Sequence, residues 1–424
     1  MHVAPRWTGP MRDVIVIGGG PAGSTAATLL ARQGLSVTLL ERERFPRFQI
    51  GESLLPYNND LFARLGVTDD LLGGDYHPKY GAFFVTGDGA VSYRFRFDQR
   101  LNDPYRRSFQ VRRSEFDHLL LKNAAKHGVE VLEATPVTSV DLSDPAKAVV
   151  NGNLEARFVV DASGHGAVVG NRLRGRTDVP SLKKIAFFAH YRNVVRAEGK
   201  DAGNTVIAVL QNGWFWMIPI STEVMSVGLV VDREHVLQCG LEPQALLEKT
   251  IAASPWVAER MRDAERVSQV YARKDFSFRM ESLVGGNYAL VGDAAGFLDP
   301  IFSTGVFMAM KSADMAVDAV VERLKSGSMR GLERYERELQ RGLDKYLRFI
   351  EHFYDRDFLE VFFHPSERWG ILNAVVGVLA GNIFQARGNR FRLALFFFLV
   401  RLQKWRGGIA PRISWESLPA AAKL

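Results

Sequence analysis

The sequence predicts an α/β fold: a dinucleotide-binding Rossmann domain, a β-rich substrate domain and a helical C-terminal segment. Three observations predict it. A buried apolar strand, a glycine turn and an apolar helix open the chain over residues 13–33, with a second strand at 35–41. Alternating apolar and polar stretches recur at 79–111, 182–232 and 267–280, which suits a second sheet. Beyond Gly331 the apolar spacing is helical to about Trp405. At 424 residues the chain exceeds one ordinary small domain, and its 47% apolar and 24% charged residues are those of a globular protein.

The remaining elements follow in order. Turn residues Gly87-Asp88-Gly89 interrupt the first inserted stretch. Helical spacing returns at 115–127, strands at 129–132 and 147–160 lead to Asp161, and helical patterns fill roughly 242–264. A buried strand at 285–293 runs into a long helix at 305–325. The expected division is a leader at 1–11, a dinucleotide domain from 12–75, 108–180 and 281–325, a β-rich domain from 76–107 and 181–280, and a helical basic segment at 326–424.

Composition excludes several classes. The longest apolar run, 393–400, is far short of the roughly 18 residues a spanning helix needs. A single cysteine, Cys239, rules out an intrachain disulfide framework and a Cys-rich zinc site, and we expect no metal. With no basic and apolar leader pattern, a cytoplasmic setting is the default. The net charge of +7 is concentrated in the tail: nine Lys or Arg against two Glu lie between residues 365 and 424. Such a tail suits an acidic partner or an anionic membrane surface, and no nucleic acid is expected. A solvated helix face accounts for it equally well.

Gly18-Gly19-Gly20-Pro21-Ala22-Gly23 fits G-x-G-x-x-G between strand and helix. Gly18 permits the tight turn, Gly20 lets backbone approach a pyrophosphate, and Gly23 lets helix and strand pack closely. The helix start, with Ala22, offers N–H groups and positive dipole to phosphates. Glu41 ends the second strand at the spacing where an acid accepts ribose hydroxyls, and Arg42 adjoins it.

Further strings choose the dinucleotide. Gly292-Asp293-Ala294-Ala295 resembles the second flavin fingerprint of the glutathione-reductase-type FAD proteins, Asp161-Ala162-Ser163-Gly164 their middle motif, and Arg113 an arginine they place on the flavin phosphate side. This resemblance implies FAD, with Asp293 on the ribityl chain. Taken alone, Asp293 reads equally as a helix cap and Arg113 as a surface cation.

That fold hosts hydroxylases, alkene reductases and halogenases, so fold alone does not assign activity. Gly213-Trp214-Phe215-Trp216-Met217-Ile218-Pro219 fits G-W-x-W-x-I-P, and residues 297–305 fit F-x-x-P-x-x-S-x-G. Gly51-Glu52-Ser53-Leu54-Leu55-Pro56 adds a flavin-loop string. Over residues 11–325 the chain thereby resembles the flavin-dependent halogenases, of the phenol and pyrrole type. The indoles alternate with Phe215 and Met217 along one strand, so both face one side. Two indoles on one face are by themselves ordinary core. The resemblance makes Trp214 and Trp216 a barrier that keeps organic substrate from the flavin while admitting a small ion.

The resemblance further implies that reduced flavin, dioxygen and chloride or bromide give hypohalous acid. The halide would sit at Ser303, Thr304 and Gly305, and Gly51 and Ser53 would join the cofactor site. Lys79, after His77-Pro78, matches the lysine that delivers the electrophile. A lysine following proline is usually a surface residue, but apolar neighbours at 80–84 are enough to bury this one and depress its pKa. Halogenases acting on free tryptophan carry a glutamate where this chain has Phe302, which points to an activated phenol or pyrrole, free or on an acidic carrier protein. His77, His165 and His190 read as structural. A separate flavin reductase is implied, since no second glycine fingerprint is present. The competing readings are an FAD-dependent aromatic hydroxylase, a geranylgeranyl-reductase-like oxidoreductase, and a non-catalytic flavin-binding membrane or regulatory protein.

Overall fold

The structure, a computed structural model, describes residues 10–274, 277–384 and 387–421. Of the expected leader only Pro10 and Met11 are among them, both exposed; its other residues lie outside.

The first sheet runs Val284–Gly285, Tyr288–Leu290, Leu154–Asp161, Arg12–Ile17, Val37–Leu40, Glu130–Leu132. It is parallel except at the Val284–Gly285 edge and an antiparallel hairpin leading into Leu154–Asp161. A parallel sheet covered on both faces explains why Val14, Ile15 and Val16 are consecutive and all fully buried. Helices Pro21–Arg32 and Thr304–Ser326 pack together on it, and Arg113–Lys126 packs beside Pro21–Arg32.

The second sheet runs Glu265–Arg266, Lys184–Arg192, Met225–Asp232, Gly213–Pro219, Thr205–Val209, Gly81–Thr86, Ser92–Arg96. Its two faces enter different cores. Trp214, Trp216 and Ile218 join the large core shared with the first sheet. Phe215 and Met217 join a smaller core with Leu246, Leu247 and Val257 of the helices behind. The alternation read from the sequence therefore sets which residues face the first sheet.

Four local expectations differ. The strand His77–Lys79 pairs with Ser108–Gln110 in a ladder of its own, outside the larger sheet. The 242–264 pattern is two helices, Pro243–Ala253 and Pro255–Met261, because proline ends the first. The strand expected at 285–293 pairs only at its edge and over Tyr288–Leu290, then turns at Gly292 with a φ of 62°. The tail is Arg330–Phe353, Arg356–Phe363, Ile371–Ala380 and Arg387–Arg406. Asp355 caps the second through Asp357 N, and left-handed Gly370 and Gly381 bracket the third.

The tail helices are fastened to one another. Buried Glu360 accepts from Gln403 (2.7 Å), Arg412 (2.9 Å) and the Ile413 amide (3.1 Å). Phe396 and Phe397 are buried against Phe349 and Phe358. Among the described residues no helix is long and apolar enough to cross a membrane.

Candidate functional site

A cleft of about 660 Å³ opens where the glycine turn, the first turn of Thr304–Ser326 and the inner face of the second sheet meet. Gly18, Gly20, Ala22, Glu41, Arg42, Gly51, Ser53, Arg113, Asp293, Ser303, Gly305, Trp214 and Trp216 all line it. Gly23, Thr304 and Lys79 do not. Thr304 is buried at the helix start, and Lys79 lies behind Ser53.

The three fingerprint glycines separate by what a side chain would meet. A Cβ on Gly18, whose φ is 99°, would lie 2.5 Å from Ala162 O, and one on Gly23 would lie 1.8 Å from Gly18 O. Those two are glycines for packing. A Cβ on Gly20 would come no nearer than 3.4 Å to an Arg47 nitrogen. The protein itself tolerates a side chain there, so the bareness of Gly20 serves the cleft.

Glu41 is buried, accepting from Gly19 N (2.7 Å) and Glu43 N (2.8 Å). Both bonds aim a carboxylate at the cleft beside the second strand. Arg113 is more committed than the sequence suggests. It grips Asp117 with two bonds of 2.7 and 2.9 Å and donates to Ile50 O at 2.6 Å, which anchors the loop leading to Gly51. Arg47 shares Asp117 at 3.0 Å and reaches toward Gly20, so it is a second cation on the phosphate side that no motif revealed. Asp161 is spent on its own turn, accepting from Ser163 and Val169 N. Asp293 is part-exposed with His165 at 3.3 Å.

On the opposite wall Trp214 and Trp216 have ring centroids 6.0 Å apart and are 1% and 5% exposed. Each indole is fixed by its N–H. Trp216 donates to Ser226 (3.2 Å), and Trp214 to the Tyr354 hydroxyl (3.0 Å), which in turn donates to Asp299 (3.0 Å). Asp299 is buried within the 297–305 string, and burial pushes its carboxyl up to about 6. A chain of hydrogen bonds thus ties the indole wall to that string through the end of Arg330–Phe353. Position 354 lies beyond every motif, so no sequence signal marked it.

Ser303 begins Thr304–Ser326 at a left-handed φ of 55° without a side-chain cap. Its own N–H is spent on Pro300 O (3.0 Å). The amides of Thr304, Gly305 and Val306 are then the N–H groups a helix start leaves without intrahelical acceptors. Phe302 packs edge-on against Phe349 and Phe353 in the buried aromatic cluster.

Lys79 is 2% exposed. Its Nζ donates to Ser53 Oγ (2.9 Å) and Leu54 O (3.1 Å), and lies 5.7 Å from the Phe97 ring centre. With no carboxylate paired to it among the described residues, burial pulls the ammonium down to about 7. Ser53 also shares a 2.8 Å bond with Thr205, which takes a further bond from Gln110 (2.9 Å). Ser53 and Thr205 line the cleft, so the amine stands one hydroxyl behind its wall. Nearby, Glu52 is buried with His190 Nε2 at 2.9 Å of one oxygen, while its other oxygen has no hydrogen-bond partner among the described residues. His77 is part-buried, and burial lowers its pKa.

The family model described as tryptophan halogenase matches residues 13–104 and 96–360. The chain belongs to this family of flavin-dependent halogenases. A 1H-pyrrole-2-carbonyl-[peptidyl-carrier protein] chlorinase of Pseudomonas fluorescens is 28% identical over 88% of this chain and 90% of its own. The corresponding brominase of Pseudoalteromonas luteoviolacea is 32% identical over 74% and 78%, and a tryptophan 2-halogenase of Chondromyces crocatus 31% over 81% and 67%. Among solved structures, the flavin-dependent brominase Bmp2 matches with a TM-score of 0.84 at 29% identity, over 93% of this chain and 99% of that one. The halogenase is an enzyme with FAD as cofactor and halide as co-substrate. Its cleft suits that cofactor: Gly20 is bare toward it for no packing reason, and Glu41, Arg47 and Asp293 bring the polar groups a dinucleotide requires.

Proposed function

We propose that this halogenase takes reduced FAD from a separate flavin reductase and halogenates an electron-rich aromatic ring, a phenol or pyrrole held on a carrier protein, with Lys79 delivering the halogen. Two relatives named as acting on a pyrrole-2-carbonyl carrier protein support the tether. Phe302 supports an activated ring: that position lies inside an aromatic cluster and supplies no carboxylate to assist a less reactive one.

Bound as reduced FAD, the cofactor supplies, with dioxygen and halide, hypohalous acid. The chain's residues do the rest. Gly18, Gly20 and the start of Pro21–Arg32 receive the pyrophosphate, with Arg47 near and Arg113 holding the loop at Gly51. Glu41 takes the ribose and Asp293 the ribityl hydroxyls. The amides at Thr304 and Gly305, joined by Val306, hold the halide. Trp214 and Trp216 deny an aromatic substrate the approach that direct oxygen transfer needs.

Lys79 receives the hypohalous acid by way of the Ser53–Thr205 wall. A neutral amine exchanges one N–H for an N–halogen bond and releases water. The ring carbon then takes the halogen as its proton passes back to nitrogen, restoring the amine. A pKa near 7 keeps a working share of Lys79 neutral at physiological pH. The observation that carries the reading is this buried, uncompensated amine one hydrogen bond behind an indole-walled cleft.

The test is incubation with reductase, NADH, FAD and bromide against free and carrier-bound phenols and pyrroles, with mass spectrometry for the bromine isotope doublet. Brominated product that requires both bromide and reduced flavin is expected. A hydroxylated product formed without halide overturns the reading.

A further inference from the structure

A second cavity, of about 700 Å³, lies between the helices Thr304–Ser326 and Arg330–Phe353 and the turn after Ile371–Ala380. It shares two walls with the flavin cleft. Ser53 faces the cleft, the Leu54 carbonyl accepts from Lys79, and Tyr57 faces the second cavity. Likewise Gly305 and Val306 face the cleft, while Phe307 faces the second cavity. The second cavity therefore begins three residues along the chain from the carbonyl that accepts from Lys79.

The chemistry of the second cavity is mixed. Tyr57, stacked on Tyr105 with centroids 4.1 Å apart, and Phe307 give it aromatic walls. Arg341, Lys345 and Arg390 gather on it and make no ion pair among the described residues. Burial, helped by the field of Arg390 and Arg341, lowers the pKa of Lys345, whose ammonium has only the Ile383 carbonyl, at 2.7 Å, among the described residues. Of the three carboxylates there, Asp60 is taken by the Tyr105 hydroxyl (2.8 and 3.0 Å) and Asp344 by Arg279 (2.7 Å), leaving Glu338. An anion with an aromatic end fits this lining.

Arg390 continues outward along the last helix. Phe391, Phe398 and Trp405 are 74%, 51% and 80% exposed. Their seven-residue spacing puts them on one face, opposite buried Phe396 and Val400. Exposed Arg401 and Arg406 flank them without ion pairs among the described residues. Residues 365–424, which include this helix, carry the whole positive excess of the chain, so the face is complementary to an acidic protein.

We propose that the second cavity admits the phosphate-bearing thioester arm of an acidic carrier protein, whose body docks on the Phe391–Phe398–Trp405 face, so that the aromatic acyl group reaches Lys79 from the side away from the flavin. The proposal rests on the carrier-bound reading above and names the residues that read the carrier. The arm's phosphate meets Arg341 and Arg390, and its acyl end passes Tyr57 and Phe307.

The test compares bromination of pyrrole-2-carboxyl phosphopantetheine with that of the same thioester lacking phosphate. The phosphorylated arm should show a KM about 10-fold lower, the size of one good charge-assisted contact. In Arg341→Ala/Arg390→Ala that ratio should fall to about one, and Arg341→Lys/Arg390→Lys should restore part of it. Phe398→Ser/Trp405→Ser should raise the KM for pyrrole-loaded carrier about 10-fold while leaving that of the free phosphorylated arm in place. No phosphate preference in the parent enzyme, or an unchanged ratio in the alanine pair, overturns the proposal. So does loss of binding to phosphatidylglycerol vesicles in the serine pair with carrier KM unmoved, which would make the face a membrane contact. Bromination of free phenols but of no thioester refutes this proposal alone; bromination of no aromatic at all refutes the halogenase mechanism beneath it.

Discussion

Replacing Lys79 with methionine tests the burial of the amine apart from its chemistry. The side chain keeps most of its length and an apolar stem and loses the charge. An ordinary lysine titrates near 10.5, and this one at about 7. At about 1.36 kcal/mol per pH unit, that gap is about 5 kcal/mol held against the folded state below pH 7. The unfolded chain keeps the proton up to about pH 10.5 while the folded chain releases it near 7. Stability of the parent therefore rises through that window, by about 1.4 kcal/mol per pH unit. Lys79→Met forfeits the bonds to Ser53 and Leu54 O, a loss of about 1–3 kcal/mol. Urea unfolding near pH 6 should show the variant more stable by about 2–4 kcal/mol, an advantage that shrinks by about 2.3 kcal/mol between pH 7 and 9. Stability curves that stay parallel across that range would refute a depressed lysine in this site.

The fingerprint glycines should respond differently. Gly23→Ala, whose Cβ would meet Gly18 O at 1.8 Å, should lower the melting temperature sharply. Gly20→Ala should fold and melt like the parent yet lose FAD on gel filtration, read by absorbance at flavin wavelengths. Tyr354→Phe strands the Trp214 N–H and removes a donor from Asp299, and should cost about 2–4 kcal/mol in urea unfolding while shifting tryptophan fluorescence. Trp216→Ala should admit an aromatic to the flavin side, read as a hydroxylated by-product and reduced flavin consumed per halogenated product rising several-fold.

What the sequence made legible was what backbone geometry imposes locally. Gly18, Gly20 and Gly23, the alternation of Trp214 and Trp216, and the acid at Glu41 each announce a turn, a face or a strand end. Lys79 needed more, because its burial depends on Phe97 and the Ser53 loop, brought together by a two-stranded ladder that no local pattern announces. The supports were hidden for the same reason. Arg47 with Asp117, Glu52 with His190, and Tyr354 with Asp299 are partners distant in sequence, each ordinary alone. Arg113 was found by its motif, but its two bonds to Asp117 show a loop anchor that spacing does not convey. The breaks at Pro255, Gly370 and Gly381 turned smooth helical patterns into shorter helices.

The central claim is that oxidant is made on one side of a wall and delivered on the other by a single amine. The direct measurement is hypohalite release by Lys79→Met, supplied with reduced FAD, bromide and dioxygen and read with a diffusible trap beside the aromatic substrate. The account predicts flavin oxidation near the parent rate, trapped hypobromite and an unmodified substrate. Substrate still brominated at the parent's rate and ring position would contradict it.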